Sequence, residues 1–217
     1  MKRIINFFVK NLLWTEGYIL VFIIFFLFCT SFIYPPLQYL AFFGLCIGLL
    51  FFRNPTRICP EYTIDQALLI CPADGKIVAH EYGNFFEGCS QRLSIFLSLL
   101  DVHVQWIPVD GIIENVSYSR GQFFPAFLEK AAHKNEHNDI FIRTPHKQLI
   151  VVRQIAGIIA QRISCWLQPH TKVTAGQKYG MIKFSSRVDI FLPASIKVYV
   201  KVGDTVLGGT SILGRWP

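Results

Sequence analysis

The sequence predicts a compact, mainly β domain with one helix, preceded by an N-terminal helical hairpin in a membrane. Three observations lead there: a charge-free stretch from Tyr18 to Phe52, short β-rich runs parted by turn residues from about residue 68 onward, and a single segment of helical spacing at Phe123 to Lys134. With 217 residues the chain has room for one ordinary domain and a membrane segment. The division is placed at residue 57, giving an anchor over 1–57 and a β domain over 58–217.

The anchor follows from composition. Hydrophobic residues make up 52% of the chain and charged residues 16%, and the apolar excess is concentrated between Tyr18 and Phe52. Pro35-Pro36 splits that stretch into halves of about 16 residues, each slightly short of the ~20 that a straight span needs. Proline inside a helix removes a donor and clashes with the preceding turn, so two helices are expected in place of one. Lys2, Arg3 and Lys10 flank one end while Arg53 and Arg57 flank the other. The positive-inside tendency then puts both ends, and the β domain, on the cytoplasmic face of the cell (inner) membrane. A cleaved signal peptide fits worse, because the apolar region is long and doubled and lacks a small-residue cleavage site. The Gly44-x-x-x-Gly48 spacing is taken as chance.

A net charge of +7 favours acidic partners. The apolar stretch directs that charge toward anionic lipid, and the lack of a Lys/Arg tract or an aromatic-basic signature argues against nucleic acid. Of the six cysteines, Cys29 and Cys46 lie in the apolar stretch, and Cys59, Cys71, Cys89 and Cys165 form neither a CxxC pair nor a metal-ligand spacing with histidine. They read as reduced structural thiols, and no metal is expected.

In the β domain, strands are expected at Leu68–Ile70, Leu93–Leu99, Leu149–Val152 and Ile196–Val202, with turns at Ala73-Asp74-Gly75 and Val109-Asp110-Gly111. Phe124, Phe127, Leu128 and Ala131 carry the helical spacing. Lys172-Val173-Thr174-Ala175-Gly176-Gln177 is echoed by the turn from Val202 to Gly209. Both have the V-x-x-G character of hammerhead turns in lipoyl- and biotinyl-like folds, which implies a barrel-sandwich core of two interlocking β layers.

Six strings then occur in order: FFRNPTR at 51–57, CPADGKIV at 71–78, DVHVQWIPVDG at 101–111, KAAHKNEHN at 130–138, VVRQIAGIIAQRISCW at 151–166 and GMIKFSSRVDIFLP at 180–193. In this order and spacing the chain resembles the short form of phosphatidylserine decarboxylase. Decarboxylating an amino acid leaves a carbanion that needs an electron sink conjugated to the amine. Pyridoxal phosphate and a pyruvoyl group both serve, and the resemblance selects the pyruvoyl route. It implies that the hydroxyl of Ser186 attacks the carbonyl of Ser185, that the chain is cut between them, and that residue 186 becomes a covalent pyruvoyl (pyruvate) cofactor forming a Schiff base with the substrate. The large and small fragments then form a heterodimer.

The resemblance also supplies His103 and Asp74 by position. An imidazole can take the hydroxyl proton while a carboxylate fixes its tautomer. By themselves Asp74-Gly75 reads as a turn and His103 as a structural residue. Arg53, Arg57, Lys183 and Arg187 are the candidates for holding the anionic phospholipid substrate.

Three departures from the family pattern bear on this. Ser185-Ser186 replaces the usual Gly-Ser, which keeps the attacking hydroxyl but loses a residue suited to a tight turn. Trp106 stands where longer members have a second histidine, and His137 ends a segment that usually closes with arginine. The alternatives are an archaetidylserine-type decarboxylase and a non-catalytic, membrane-anchored lipoyl-like adaptor. The adaptor needs a lysine at a hairpin tip, which the chain lacks, and it leaves PADG, DVHV and FSSRVD unexplained.

Overall fold

The computed structural model describes residues 17–30, 35–126, 131–157, 163–183 and 186–217. It divides into two compact units, Met1–Thr56 and Arg57–Pro217. Lys2, Arg3 and Lys10, used above to orient the anchor, lie outside the described residues.

The first unit holds α1 (Tyr18–Thr30, 13 residues) and α2 (Pro35–Phe51, 17 residues). Pro35 and Pro36 open α2: the first turn has no intrahelical acceptor for its N–H groups, so a missing donor costs nothing there. At 1.5 Å per residue the helices are roughly 20 and 26 Å long, below the ~30 Å of a hydrocarbon core. No helix among the described residues is long and apolar enough to cross a membrane. The two helices pack on each other, with Phe28 and Phe42 ring centroids 6.0 Å apart. The glycine spacing taken as chance is part of that packing. A Cβ on Gly44 would meet Ile24 at 3.6 Å and one on Gly48 would meet Val21 at 3.4 Å, so the bare backbone of α2 lies against α1. Phe22, Phe26, Tyr39, Leu40 and Phe43 remain exposed.

The second unit is mainly β. Its elements are α3 (Pro60–Ile64), β1 (Leu68–Ile70), β2 (Gly75–Phe86), β3 (Cys89–Leu97), β4 (Val104–Trp106), β5 (Gly111–Ser119), α4 (Ala131–Lys134) and β6 (His137–Arg143). There follow β7 (Leu149–Ala156), β8 (Ile163–Cys165), β9 (Lys172–Val173), β10 (Lys178–Ile182), β11 (Ser186–Leu192), β12 (Lys197–Val198), β13 (Thr205–Val206) and β14 (Ile212–Arg215). An eight-stranded antiparallel sheet runs β13-β2-β3-β11-β7-β6-β5-β9, joined by two three-stranded sheets, β1-β14-β12 and β4-β10-β8. The core unites all three, with Ile95, Ile150, Val188 and Ile190 of the large sheet packed in one cluster with Leu69, Tyr179, Ile182 and Leu213 of the small ones.

Two expected elements are corrected. The helix over Phe123–Lys134 shrinks to Ala131–Lys134 among the described residues, with 127–130 outside them. Pro125 disfavours the helical region for Phe124, and the Asn135 side chain accepts the Phe124 N–H at 2.9 Å while donating to its carbonyl at 2.7 Å. The strand over Ile196–Val202 is only Lys197–Val198.

The large sheet reads alike from both ends, because β13-β2-β3-β11 and β9-β5-β6-β7 are two copies of one arrangement. Each copy begins with a Pro-x-Asp-Gly turn, Pro72–Gly75 in one and Pro108–Gly111 in the other. The hydrogen bonds are reciprocal. Ile70 N donates to Pro108 O and Trp106 N to Pro72 O, both at 2.9 Å. Gly209 N reaches Cys71 O at 2.9 Å, and Gly176 N reaches Ile107 O at 2.8 Å. These are the glycines of the two V-x-x-G turns, with φ of +76° and +77°, a region an L side chain seldom adopts. The weak sequence echo is thus one part of an internal duplication.

Candidate active site around Ser186

β11 lies between β3 and β7, and all seven of its residues are buried, Ser186, Arg187 and Asp189 among them. Ser186 opens it, opposite Leu97 on β3 and Ala156 on β7. Side chains alternate along a strand. Ser186 therefore shares the inner face with Val188 and Ile190 of the main core, whereas Arg187, Asp189 and Phe191 point to the other face. The Ser186 hydroxyl is fully buried and has no hydrogen-bond partner among the described residues. Such an atom is costly to leave unmade, and functional sites are where such costs collect.

His103 is fully buried between β3 and β4. Its Nδ1 lies 2.9 Å from the Asp101 carbonyl, which can only accept, so Nδ1 carries the proton and Nε2 is the basic nitrogen. A turn fixes Asp101 in its place: its carboxylate accepts both the N–H and the hydroxyl of Ser98 at 2.7 Å. The imidazole tautomer is therefore set by this main-chain carbonyl.

Asp74 is bonded to Arg57 and to the Gly208 turn, and no bond joins it to His103 among the described residues. Both oxygens are held by Arg57, with Nη2 at 2.8 Å from Oδ2 and Nη1 against Oδ1, and Oδ1 also accepts the Gly208 N–H at 2.8 Å. Arg57 further donates to the Gly208 carbonyl at 2.7 Å, and its guanidinium lies 4.9 Å from the Trp106 ring centroid. Trp106 is seated against Gly208, where a Cβ would come within 2.5 Å of the indole. At the position where longer family members carry histidine, this chain thus has an indole that stacks on the partner of Asp74.

The comparisons decide the family. The family model for phosphatidylserine decarboxylase matches residues 48–214. The phosphatidylserine decarboxylase proenzyme of Syntrophus aciditrophicus is 42% identical over 169 residues, covering 76% of this chain and 78% of that protein. Those of Salinibacter ruber and Desulfotalea psychrophila are 39% and 38% identical, covering 84% and 82% of this chain and 81% and 84% of their own. The chain belongs to the phosphatidylserine decarboxylase family.

Arg187 is buried on the outer face, donating to Asp189 at 2.6 Å and to Ser94 at 2.7 Å. Arg53 belongs to the first unit and donates to the Leu50 carbonyl at 2.7 Å, closing α2. Lys183 is half-buried just after β10. Ser185 lies outside the described residues, as does any strain at the junction. A cavity of about 510 Å³ opens beside Asp110, Arg143, Thr144 and Lys172, and none of the candidate catalytic residues lines it. The site is marked by buried polar atoms.

Sequence reading missed the polar groups that accompany Ser186. Gln105, Asn138 and Gln154 are all buried, and they join β4, β6 and β7. Only the duplicated Pro-x-Asp-Gly turn gave a signal that Asp74 has a structural twin. Cys71 is fully buried, and burial pushes its thiol up to about 12, so it is no nucleophile at neutral pH.

Proposed function

We propose that this protein is made as a proenzyme, cuts its own chain between Ser185 and Ser186, and then converts phosphatidylserine to phosphatidylethanolamine and carbon dioxide at the cytoplasmic face of the cell membrane. The observation that carries this reading is the Ser186 hydroxyl, buried without a partner among the described residues, at the position to which the resemblance of the FSSRVD motif assigns the cofactor. A residue whose side chain is to be consumed in forming a pyruvoyl group suits such a setting. When present, that group supplies an electrophilic carbonyl and an electron sink for the decarboxylation.

The chain's own residues prepare the cut. His103, protonated at Nδ1 by its bond to Asp101, takes the Ser186 proton at Nε2 as the hydroxyl attacks the preceding carbonyl. Asp74, locked to Arg57, braces the Gly208 turn and the Trp106 wall, and in this reading its charge also serves the cut. The fragments stay together after the cut because β11 keeps its pairing with β3 and β7, and β14 its pairing with β1. The V-x-x-G turns are read as the hammerheads of a barrel-sandwich core. The apolar helices of the first unit anchor the protein in the lipid layer without a full span, holding the site near its substrate plane.

Intact-mass analysis of the purified protein and of a Ser186→Ala variant tests the reading. A small fragment beginning at residue 186 with a pyruvoyl mass, absent from the variant, is the expected result. A single uncut chain in both would overturn it.

A further inference from the structure

We propose that Gln105 holds the carboxylate of the substrate, through its side-chain N–H groups, beside residue 186; the inference rests on the decarboxylase reading above and names the group that recognises the leaving carboxylate.

The placement follows from register. On the inner face of the large sheet, Ser186 pairs with Ala156, and Val188 pairs with Gln154, which makes Gln154 a diagonal neighbour of Ser186. Diagonal neighbours lie within reach of long side chains. Gln154 in turn pairs with Asn138 of β6. The amides of these residues form a chain. Asn138 Nδ2 donates to Gln154 Oε1 at 3.0 Å, and Gln154 Nε2 donates to Gln105 Oε1 at 2.6 Å. Gln105 lies two residues beyond His103, on β4, and is bonded to Gln154, the diagonal neighbour of Ser186.

The direction of the chain matters more than its existence. Each amide passes its acceptor to the one before it, so the Gln105 oxygen is occupied and its Nε2 is the terminal donor. That nitrogen is fully buried and has no partner among the described residues. Room for the arrangement comes from Gly180, opposite Gln105 on β10, where a Cβ would sit 2.8 Å from Gln154 Nε2. An apolar residue at 105 would fill the same space without an orphaned donor, and in this proposal the donor's partner is the substrate.

A carboxylate about to leave is that partner. As carbon dioxide departs, the electron pair of the broken carbon–carbon bond leaves the carboxyl group, and the group ends neutral. A cation gripping the carboxylate would stabilise it most before that step and so oppose the reaction, whereas a neutral amide donor gives orientation with less ground-state stabilisation. Arg187, adjacent to Ser186 in the chain, is directed to the opposite face and paired with Asp189. Gln105 is left to orient the carboxylate.

The test uses the mature protein with phospholipid vesicles and two inhibitors. One is a phosphatidylserine analogue whose head-group amine is replaced by hydrogen, which keeps the carboxylate; the other is phosphatidylethanolamine, which lacks it. Gln105→Leu is expected to raise the inhibition constant of the carboxylate analogue about tenfold and to leave that of phosphatidylethanolamine within about twofold. Gln105→Glu keeps the oxygen that Gln154 needs, replaces the donor with a like charge, and is expected to shift the same ratio further; it carries the test if the leucine variant does not fold. Intact mass reports whether each variant is cut. Equal shifts for both inhibitors, or none for either, overturn the role of Gln105 while leaving the decarboxylase in place. No carbon dioxide from the unaltered protein overturns the reading beneath it.

Discussion

Asp74 and Asp110 stand at equivalent places in the two halves of the domain, and each uses Oδ1 to hold the residue just ahead of a left-handed glycine, Gly208 N at 2.8 Å and Ala175 N at 2.7 Å. Bracing a turn is therefore common to both carboxylates and explains neither one's part in chemistry. What separates them is the second partner. Asp74 has Arg57, and Asp110 has the hydroxyl of Tyr62 at its main-chain N–H, 3.3 Å away.

This makes Asp110 an internal control for Asp74. Asp110→Ala leaves a turn N–H unmade and is expected to cost about 1–3 kcal/mol while the chain is still cut. Asp74→Ala also strands a largely buried guanidinium, for a loss of about 3–5 kcal/mol, and abolishes the cut. Urea midpoints and the fraction cut, measured on both, check this. Equal cutting in the two variants would reduce Asp74 to a turn brace.

Removing the whole ion pair separates stability from maturation. A buried pair replaced by apolar residues of similar volume is often neutral to the fold, whereas breaking it from one side is not. Arg57→Met with Asp74→Leu is expected to recover most of the stability lost in Arg57→Met alone and to remain uncut. A double variant that matures at the original rate would show that neither charge takes part.

Alkaline titration should reveal the buried acids. Burial pushes Tyr62 and Cys71 up to about 12 and Cys89 up to about 11, from ordinary values of 10.0 and 9.0. The folded state keeps these protons when the unfolded chain has released them, so their contribution is fully present below pH 9 and is lost as pH rises to 12. At ~1.4 kcal/mol per unit the loss amounts to several kcal/mol. Urea midpoints should be level between pH 7 and 8.5 and fall steeply above, with a shallower fall in Cys71→Val; parallel curves for the two proteins would count against Cys71.

Much of this was legible in the sequence, and the gaps have physical causes. The strands at Leu68–Ile70 and Leu149–Val152 were readable because the apolar runs are bounded by turns. The helix start was misplaced at Phe123 because helical spacing is a local signal, while Asn135 claims the Phe124 backbone from eleven residues away. Ser186 was found by resemblance alone; nothing in a Ser-Ser pair announces a buried, unpaired hydroxyl. Arg57 was read as a substrate grip, since sequence shows the charge but not Asp74 folded against it. The Gln105–Gln154–Asn138 chain depends on three strands coming into register, which no window of sequence contains.

The tautomer of His103 offers the last check. Its Nδ1 bonds to the Asp101 carbonyl, and that carbonyl is placed by the turn in which Asp101 Oδ2 accepts from Ser98 N and Oγ. Asp101→Ala removes both turn bonds at an exposed site, so the fold should lose no more than about 1 kcal/mol. The imidazole, though, then bonds a carbonyl that the turn no longer fixes, and misplacing a base slows proton transfer steeply. The expected outcome is cutting slowed about tenfold with the urea midpoint nearly unchanged, and recovery in Asp101→Asn, whose amide oxygen still accepts from Ser98. If Asp101→Ala cuts at the original rate, some other contact aims the ring, and the turn has no part in maturation.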